Sequence, residues 1–221
     1  YLFRSRHYAH GGAYGGASEN GTCATLHTMS VYGYNTASAD KRLDMNFYTG
    51  RVVVDGNEVK LDDGTPLEYM PLAVEQNLTA SKYIETAGAR MKKYEVDRPA
   101  YSDGRMPDND IVLYRYADVL LMKAEAKVRN GENGDGELNE VRARVGMNPL
   151  AATLDNILDE RLRELVWEGW RRQDMIRFGT YNKTYDIHTP SEADKKGYTI
   201  VFPIPEKVRE LNKNIKQNAG Y

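Results

Sequence analysis

The sequence has 221 residues, of which 41% are hydrophobic and 28% are charged, and its formal net charge is −2. This is enough apolar material to bury one sizeable core, so wholesale disorder is excluded. The balanced charge also disfavours nucleic acid as a partner, because phosphate binding requires a basic surface excess. No run of about 18 apolar residues occurs, so no membrane-spanning helix is predicted. The single cysteine, Cys23, excludes an internal disulfide and a cysteine-based zinc cluster.

The first part of the chain, residues 1–109, is predicted to be rich in loops and short hairpins. Leu43, Met45 and Phe47 alternate as the inward side of a strand would. The dipeptide Asp55-Gly56 between two valine-rich runs favours a tight hairpin turn. In chain order we predict a glycine-rich loop, a short helix, a strand, a hairpin and a second strand over Gly11–Gly16, Cys23–Val31, Asp40–Thr49, Arg51–Leu61 and Arg90–Val96.

The second part, residues 110–221, is predicted to be helical. Tyr116, Leu120 and Ala124 recur at helical spacing, and the glycine-rich stretch Asn130–Gly136 ends that helix and turns the chain into the next one. The two helices should form an antiparallel hairpin of tetratricopeptide type. The second helix of this hairpin is expected at Leu138–Val145. Further helices are expected from Thr153 to a bend at Gly169, at Trp170–Phe178 and at Glu206–Asn212, with an extended piece at Tyr198–Phe202.

Two glutamates on the third of these helices, Glu160 and Glu164, have the i, i+4 spacing that brings two carboxylates together. A pair of facing acids is what glycosidic hydrolysis requires. Arginines interleave with them, however, and neighbouring arginines keep carboxylates ionised rather than producing a general acid. We therefore interpret the pair as part of an ion-pair lattice that pins the helix to its neighbours, and we predict no catalytic residue.

Other chemical motifs are weak. His7 and His10 have a spacing that suits a metal ion but lie in a loop, and a small buried Cys23 beside a surface His27 is more common than a reactive thiolate pair. There is no phosphate-binding loop of the G-x-x-x-x-G-K-[ST] kind and no G-x-S-x-G nucleophile elbow. We predict neither a metal nor a cofactor.

Tyrosine accounts for 16 of the 22 aromatic residues. Its ring is apolar and its tip is polar, which suits contact surfaces that are half exposed, although tyrosines at the edge of a core are equally consistent with this composition.

Several segments of the chain, in order, resemble the SusD/RagB family of nutrient-binding outer-membrane lipoproteins of Bacteroidetes. The resemblance is strongest after residue 110, and a looser Asp-x-Arg element precedes it. The similar segments are Asp40–Arg42 (DKR), Tyr114–Ala126 (YRYADVLLMKAEA), Leu138–Gly146 (LNEVRARVG), Glu160–Leu165 (ERLREL), Glu168–Arg171 (EGWR), Asp174–Gly179 (DMIRFG), Phe202–Pro205 (FPIP) and Gln217–Tyr221 (QNAGY).

This resemblance implies a mainly α fold of tetratricopeptide-like helical hairpins, an α-α superhelix, with small β-hairpins and long loops. It implies a protein on the outward-facing surface of the outer membrane that binds glycans without transforming them and delivers them to a SusC-like TonB-dependent transporter. Members of the family are roughly twice this length. We therefore expect the sequence to correspond to the C-terminal half, as one region with a ligand-side part (1–109) and a helical part (110–221). The lipid anchor would then lie on the N-terminal half.

The ligand face of this family is built from variable loops, partly before the Asp-x-Arg element. We predict that tyrosines in this region stack on sugar rings and that two polar residues donate or accept hydrogen bonds: Tyr8, Tyr14, Tyr32 and Tyr34, with His7 and Asn35. The alternative is a helical scaffold that only docks a protein partner and has no sugar affinity of its own.

Overall fold

The computed structural model describes residues 9–15, 21–101 and 108–221. Within these ranges the α-helices α1–α8 span Leu26–Val31, Leu43–Asn46, Tyr116–Arg129, Asp135–Arg144, Leu154–Leu165, Arg171–Arg177, Glu192–Lys195 and Glu206–Leu211. Short 3₁₀-helices occur at Ala9–Tyr14, Pro99–Tyr101 and Tyr198–Ile200. Strands β1–β6 span Phe47–Tyr48, Gly50–Arg51, Val53–Val54, Asn57–Glu58, Glu68–Tyr69 and Arg90–Met91. The predicted fold class, mainly helical with few short strands, is confirmed.

Helices α3 and α4 form the predicted helical hairpin. Lys123 and Lys127 of α3 both bind the carboxylate of Glu137 in the first turn of α4, at 2.9 and 2.7 Å. Gly134 lies so close to α3 that a Cβ at this position would come within 2.8 Å of the Ala124 carbonyl oxygen. The two helices therefore approach closely at Ala124, whose small side chain is fully buried.

Helix α5 begins where its sequence predicts. The Thr153 hydroxyl accepts a hydrogen bond from the Asn156 amide, so Thr153 is the N-cap. Ile157, Leu158, Leu162 and Leu165 recur on one face and are buried, which packs α5 against α3 and α1.

The strands form three separate antiparallel pairs, β1 with β6, β2 with β5 and β3 with β4. The Asp55-Gly56 turn between β3 and β4 has φ values of 53° and 78°, as a tight hairpin turn requires, which confirms the predicted hairpin. Val52, Val54, Leu67 and Tyr69 form a small core beneath these pairs.

The predicted strand over Asp40–Thr49 is wrong in its first half, where α2 occurs instead. Leu43 and Asn46, three residues apart, are buried, whereas Met45 is 62% exposed. A helical turn buries Leu43 and Asn46 together, whereas the strand predicted from the alternation of Leu43, Met45 and Phe47 would have buried Met45. Only Phe47–Tyr48 is extended, and it pairs with β6.

Three other segments differ from prediction. Ala9–Tyr14 forms a 3₁₀-helix that overlaps the expected loop, the strand expected over Arg90–Val96 is limited to β6, and the segment from Tyr198 begins with a 3₁₀ turn before becoming extended at Val201. A 3₁₀ turn fixes only a few residues, so glycine-rich and short polar segments can adopt it.

The chain divides into two compact units, the first ending at Trp170 and the second comprising Arg171–Tyr221. The second unit contains α6–α8. In it, the Gln217 side chain accepts from the Ile204 amide and donates to the Ile204 carbonyl, at 2.8 and 2.9 Å. The Arg172 guanidinium lies 4.4 Å from the centre of the Phe202 ring. The subdivision predicted at residue 109 stays a prediction. In the part of the chain that the structure describes, no helix combines the length and the apolar character needed to cross a bilayer.

Candidate functional site

Two of the predicted ligand-binding residues, Tyr34 and Asn35, lie together in an open pocket of about 420 Å³ in the first unit. Another wall of the pocket is formed by β5 and the segment after it. This segment contributes Glu68, Tyr69, Met70, Pro71, Leu72, Ala73 and Tyr83, and Gly50 of β2 completes the lining. The pocket therefore combines aromatic rings with one amide and one carboxylate.

The C-terminal end of α1 holds Tyr34 in this pocket. The amide of Tyr34 donates to the Met29 carbonyl and that of Gly33 to the Ser30 carbonyl, both at 2.9 Å. This is a Schellman motif, and Gly33 adopts the positive φ, 68°, that the motif requires. Asn35 also has a positive φ, 62°, which asparagine tolerates better than most residues. Two consecutive turns thus present a ring and an amide at the surface.

The other wall is tied to the core by backbone hydrogen bonds. The Met70 amide donates to the Thr86 carbonyl at 2.8 Å, and the Gly88 amide donates to the Met70 carbonyl at 2.9 Å. Gly88 has φ of 77°, and a Cβ there would lie 2.4 Å from the Cys23 sulfur, so only glycine fits this position. Tyr83 is half-buried beside this junction, with the Lys82 ammonium 4.8 Å from its ring centre.

The remaining predicted tyrosines are not in this pocket. Tyr32 is 1% exposed, and its hydroxyl donates to the Arg163 carbonyl at 2.5 Å and accepts from the Asn46 amide at 2.8 Å. Burial raises the pKa of this hydroxyl. The structure therefore corrects the interpretation of Tyr32: both its ring and its hydroxyl are engaged in the core, and no face is left for a sugar.

Tyr14 lies in a separate aromatic cluster. Its hydroxyl is 2.9 Å from that of Tyr48, and the Arg98 guanidinium covers its ring at 5.1 Å. The predicted residues Tyr8 and His7 lie outside the described residues, so the structure does not bear on them.

His10 belongs to the same aromatic cluster. Its Nδ1 is 2.9 Å from the Tyr69 hydroxyl, and its ring packs edge-on against Tyr48 at 4.4 Å. Burial, with a smaller contribution from the charge of Arg90, lowers the pKa of His10 to about 3. The imidazole is thus neutral at physiological pH and acts as a packed core residue.

Cys23 and His27 do not form the pair that a helix over Cys23–Val31 would create. Helix α1 begins at Leu26, with Thr25 as its N-cap, so Cys23 precedes the helix. Burial raises the pKa of the Cys23 thiol despite the opposing charge of Arg90. A raised pKa disfavours the thiolate form that nucleophilic chemistry needs.

Glu160 and Glu164 lie in the predicted ion-pair lattice. Glu160 is fully buried and binds Arg42 and Arg142, each at 2.7 Å, and Arg163 at 3.0 Å. Glu164 binds Arg42, Arg115 and Arg144. Burial would raise the pKa of Glu164, but Arg115 and Arg42 outweigh it and hold that pKa below its usual range. Neither carboxylate is placed as a proton donor.

The Asp-x-Arg element supplies the centre of this lattice. The Asp40 carboxylate accepts hydrogen bonds from the backbone amide and the guanidinium of Arg42, at 2.7–2.9 Å. The same guanidinium then reaches Glu160 and Glu164 on α5. A local loop is thereby joined to a helix more than 110 residues away in the sequence.

Comparison with known proteins places the chain in a family. The sequence profile of the SusD family matches residues 12–221. The chain belongs to the SusD family.

Two curated relatives illustrate how far the similarity extends. Starch-binding protein SusD of Bacteroides thetaiotaomicron is 32% identical over 139 residues, which are 60% of this chain and 25% of that protein. SusD-like protein P2 of Formosa agariphila is 30% identical over 174 residues, 70% of this chain and 32% of that protein. The chain thus spans about a quarter to a third of the length of these relatives.

Solved structures agree with the SusD-family fold. Surface glycan-binding protein A from Bacteroides uniformis aligns over 93% of this chain and 42% of its own, with a TM-score of 0.59 and 23% identity. A SusD superfamily protein from Bacteroides vulgatus aligns over 89% of this chain and 44% of its own, with a TM-score of 0.58 and 20% identity. At these identities the likeness concerns the fold alone.

Sequence reasoning missed several pocket residues of this SusD-family chain, most notably Tyr83 and Glu68. Tyr83 lies in an irregular segment without hydrophobic periodicity, and Glu68 lies on a strand of only two residues. The high tyrosine content was the one available signal, since it predicts half-exposed rings without saying which ones.

Proposed function

We propose that this chain is the glycan-binding region of a cell-surface nutrient-uptake protein and that the pocket lined by Tyr34, Asn35 and Tyr83 holds the glycan. The observation that carries the proposal is the meeting of Tyr34 and Asn35 with Tyr83 at one open pocket. Aromatic rings bury the apolar faces of sugars, and a few polar groups fix their orientation. Membership of the SusD family supports this function, as does the starch-binding relative.

The glycan would be passed to a SusC-like TonB-dependent transporter in the outer membrane. The protein would act on the outward-facing surface, attached by a lipid rather than by a spanning helix. Both statements extend the proposal by analogy with the family. Co-purification of the full-length protein with a transporter of this type tests them, and the absence of any stable complex would contradict them.

We propose binding without turnover. Glu160 and Glu164 are each paired with three arginines, and Arg115 and Arg42 hold the pKa of Glu164 below its usual range, whereas a general acid requires a raised pKa. Incubation with oligosaccharides should yield no shorter products. Hydrolysis that disappears in Glu160→Gln or Glu164→Gln would establish a glycoside hydrolase instead.

The direct test of binding is calorimetric titration with a panel of neutral oligosaccharides that includes maltoheptaose. We expect at least one ligand to bind and Tyr34→Ala to weaken it roughly tenfold, since loss of an aromatic contact costs on the order of 1 kcal/mol. Tyr83→Ala should have a similar effect. Tyr181→Ala, which removes a half-buried tyrosine of the second unit, is the matched control and should leave affinity unchanged. Equal affinities for all variants would contradict the proposal.

A docking scaffold without sugar affinity is the second candidate, and one observation favours it. Large apolar side chains are exposed before and along α3, among them Leu113, Tyr114, Tyr116 and Val119, which are 48–72% exposed. Exposed apolar patches commonly mark protein contacts. A transporter complex formed by a chain that binds no member of the glycan panel would favour this candidate.

A further inference from the structure

A second pocket, of about 370 Å³, opens beside the ion-pair lattice and is distinct from the Tyr34 pocket. Its described lining residues include four cations and two carboxylates. The charged residues that line it are Arg42, Lys93, Arg115, Arg144, Glu164 and Glu168.

The lattice behind this wall holds more positive than negative charge. Among the described residues, direct ion pairs join six cations to four carboxylates, which leaves two positive charges in excess. The cations are Arg42, Lys93, Arg115, Arg142, Arg144 and Arg163, and the anions are Asp40, Glu160, Glu164 and Glu168. Because most of these groups are shielded from water, the excess is poorly screened and attracts an anion.

Crowding of like charges is evident at Lys93. Its ammonium binds the carboxylate of Glu168, which Arg115 also binds at 2.8 Å. Burial lowers the pKa of Lys93, and the positive charge of Arg115 adds to that effect against the opposing carboxylates. Two cations thus share one carboxylate at the pocket wall.

Arg144 is the cation best placed to receive a ligand. Its side chain is 56% exposed, and its Nη2 atom contacts both oxygens of Glu164 at 3.0 Å. Glu164 already binds Arg42 and Arg115 and is therefore shared among three guanidinium groups. An incoming oxyanion would give Arg144 a partner of its own.

We propose that this pocket binds an oxyanion group, a carboxylate or a sulfate ester carried by an acidic sugar, with Arg144 as its main contact. Guanidinium groups bind planar and tetrahedral oxyanions through paired, charge-assisted hydrogen bonds. The Tyr34 pocket, in contrast, is lined by Glu68 and by no lysine or arginine among its described lining residues. The Tyr34 pocket therefore suits neutral sugars, whereas the charged pocket suits acidic ones.

The test uses Val112, which lines the charged pocket, is 36% exposed and is not part of the lattice. Val112→Glu places a carboxylate where the ligand would bind, and Val112→Gln is its uncharged match. Titrations with sodium glucuronate and glucose 6-sulfate, against glucose as the neutral probe, are followed by the chemical shifts of arginine Nε–H groups. We expect an anion to bind, at least roughly tenfold weakening in Val112→Glu, and at most about a twofold change in Val112→Gln.

Arg144→Gln should weaken the anion to a similar degree and reduce the dependence of its affinity on salt. Arg129→Gln, which removes an exposed, ion-paired arginine of the same helical hairpin, is the control and should have no effect. Response to glucuronate alone or to the sulfate alone identifies the oxyanion and supports the proposal. Equal shifts with glucose, retained affinity in Val112→Glu, or no response to either anion would overturn it.

The outcome is independent of the proposed neutral-glycan site. Val112→Glu should bind the neutral oligosaccharide of the panel as tightly as the parent chain does, because Val112 does not line the Tyr34 pocket. Loss of anion binding with retention of neutral-glycan binding supports both sites. Failure of either titration alone rejects only the site to which it belongs.

Discussion

The ion-pair lattice around α5 and the Tyr34 pocket differ in how they are built. The lattice is made of buried arginines and carboxylates that join Asp40 and Arg42 to helices far along the chain. The pocket is lined by residues on turns and on short strands, most of them half-buried or exposed. The segments by which the family is most easily identified therefore form the framework, whereas the pocket is lined by residues that follow no sequence pattern.

Breaking the lattice should have the largest effect. Arg42→Met removes the cation shared by Asp40, Glu160 and Glu164 and leaves buried charges uncompensated, which typically costs about 3–5 kcal/mol. Denaturant unfolding measures the loss. Arg51→Met removes an exposed ion pair to Glu58 and should change stability by about 0–1 kcal/mol. Similar values for the two variants would show that the lattice is not the framework.

Acid should have the next largest effect, also through the lattice. Burial raises the pKa values of Asp40 and Glu164, but arginine partners outweigh it and lower both. As the pH falls through the ordinary pKa of these carboxyl groups, the unfolded chain binds protons that the folded chain does not yet bind. The free energy of unfolding therefore falls as the pH falls. Unfolding measured between about pH 6 and about pH 3 should show this decline.

The same titration has an internal control. Arg42→Met removes a main cause of the lowered pKa values, so its stability should fall less steeply with acid than that of the parent chain. Parallel curves for the two proteins would contradict this account of the lattice.

Tyr32 and Tyr34, two residues apart, offer the sharpest contrast. Tyr32→Phe deletes a hydroxyl that serves both the Arg163 carbonyl and Asn46, and should cost about 1–3 kcal/mol of stability with no change in glycan affinity. Tyr34→Ala should do the reverse, with weaker binding and a smaller loss of stability. Denaturant unfolding and glycan titration of both variants test this difference. Equal losses of stability and of affinity in the two variants would contradict it.

The smallest effect is expected at Asn35. Asn35→Gly keeps the positive φ accessible but removes the amide, so stability should change by no more than about 0.5 kcal/mol. Glycan affinity should fall a few-fold as a hydrogen bond is lost. Asn35→Ala would confuse the two effects because alanine is strained at this φ. Unchanged affinity in Asn35→Gly would remove this residue from the site.

The helices could be predicted because their signals are local. Leu120 and Ala124, or Leu158 and Leu162, repeat at helical spacing over several turns, and Thr153 marks a start. The two-residue strands have no period to detect, and the alternation of Leu43, Met45 and Phe47 is too short to distinguish a strand from the helical turn of α2. The partners of Arg42 could not be foreseen from spacing, since 118 and 122 residues separate it from Glu160 and Glu164.

The candidate site was predictable only in part, for the same physical reason. Tyr34 and Asn35 come just after α1, whose C-terminal turn is closed by Gly33, and loop residues at such a position are presented to solvent. Tyr32 shares their tyrosine-rich context but points into the core, and composition does not distinguish the two directions. The backbone bridge between Met70 and Ala87 brings the segment that contains Tyr83 next to the pocket, and no sequence pattern predicts this contact.

Mapping a bound oligosaccharide by NMR tests the central claim most directly. The chain is titrated with the neutral glycan that binds most tightly, and perturbed backbone and tyrosine signals are assigned. The account predicts that the largest changes occur at Tyr34, Asn35 and Tyr83 and that Tyr32, Glu160 and Glu164 are unaffected. Perturbations centred on α5, or confined to residues after Trp170, would contradict it.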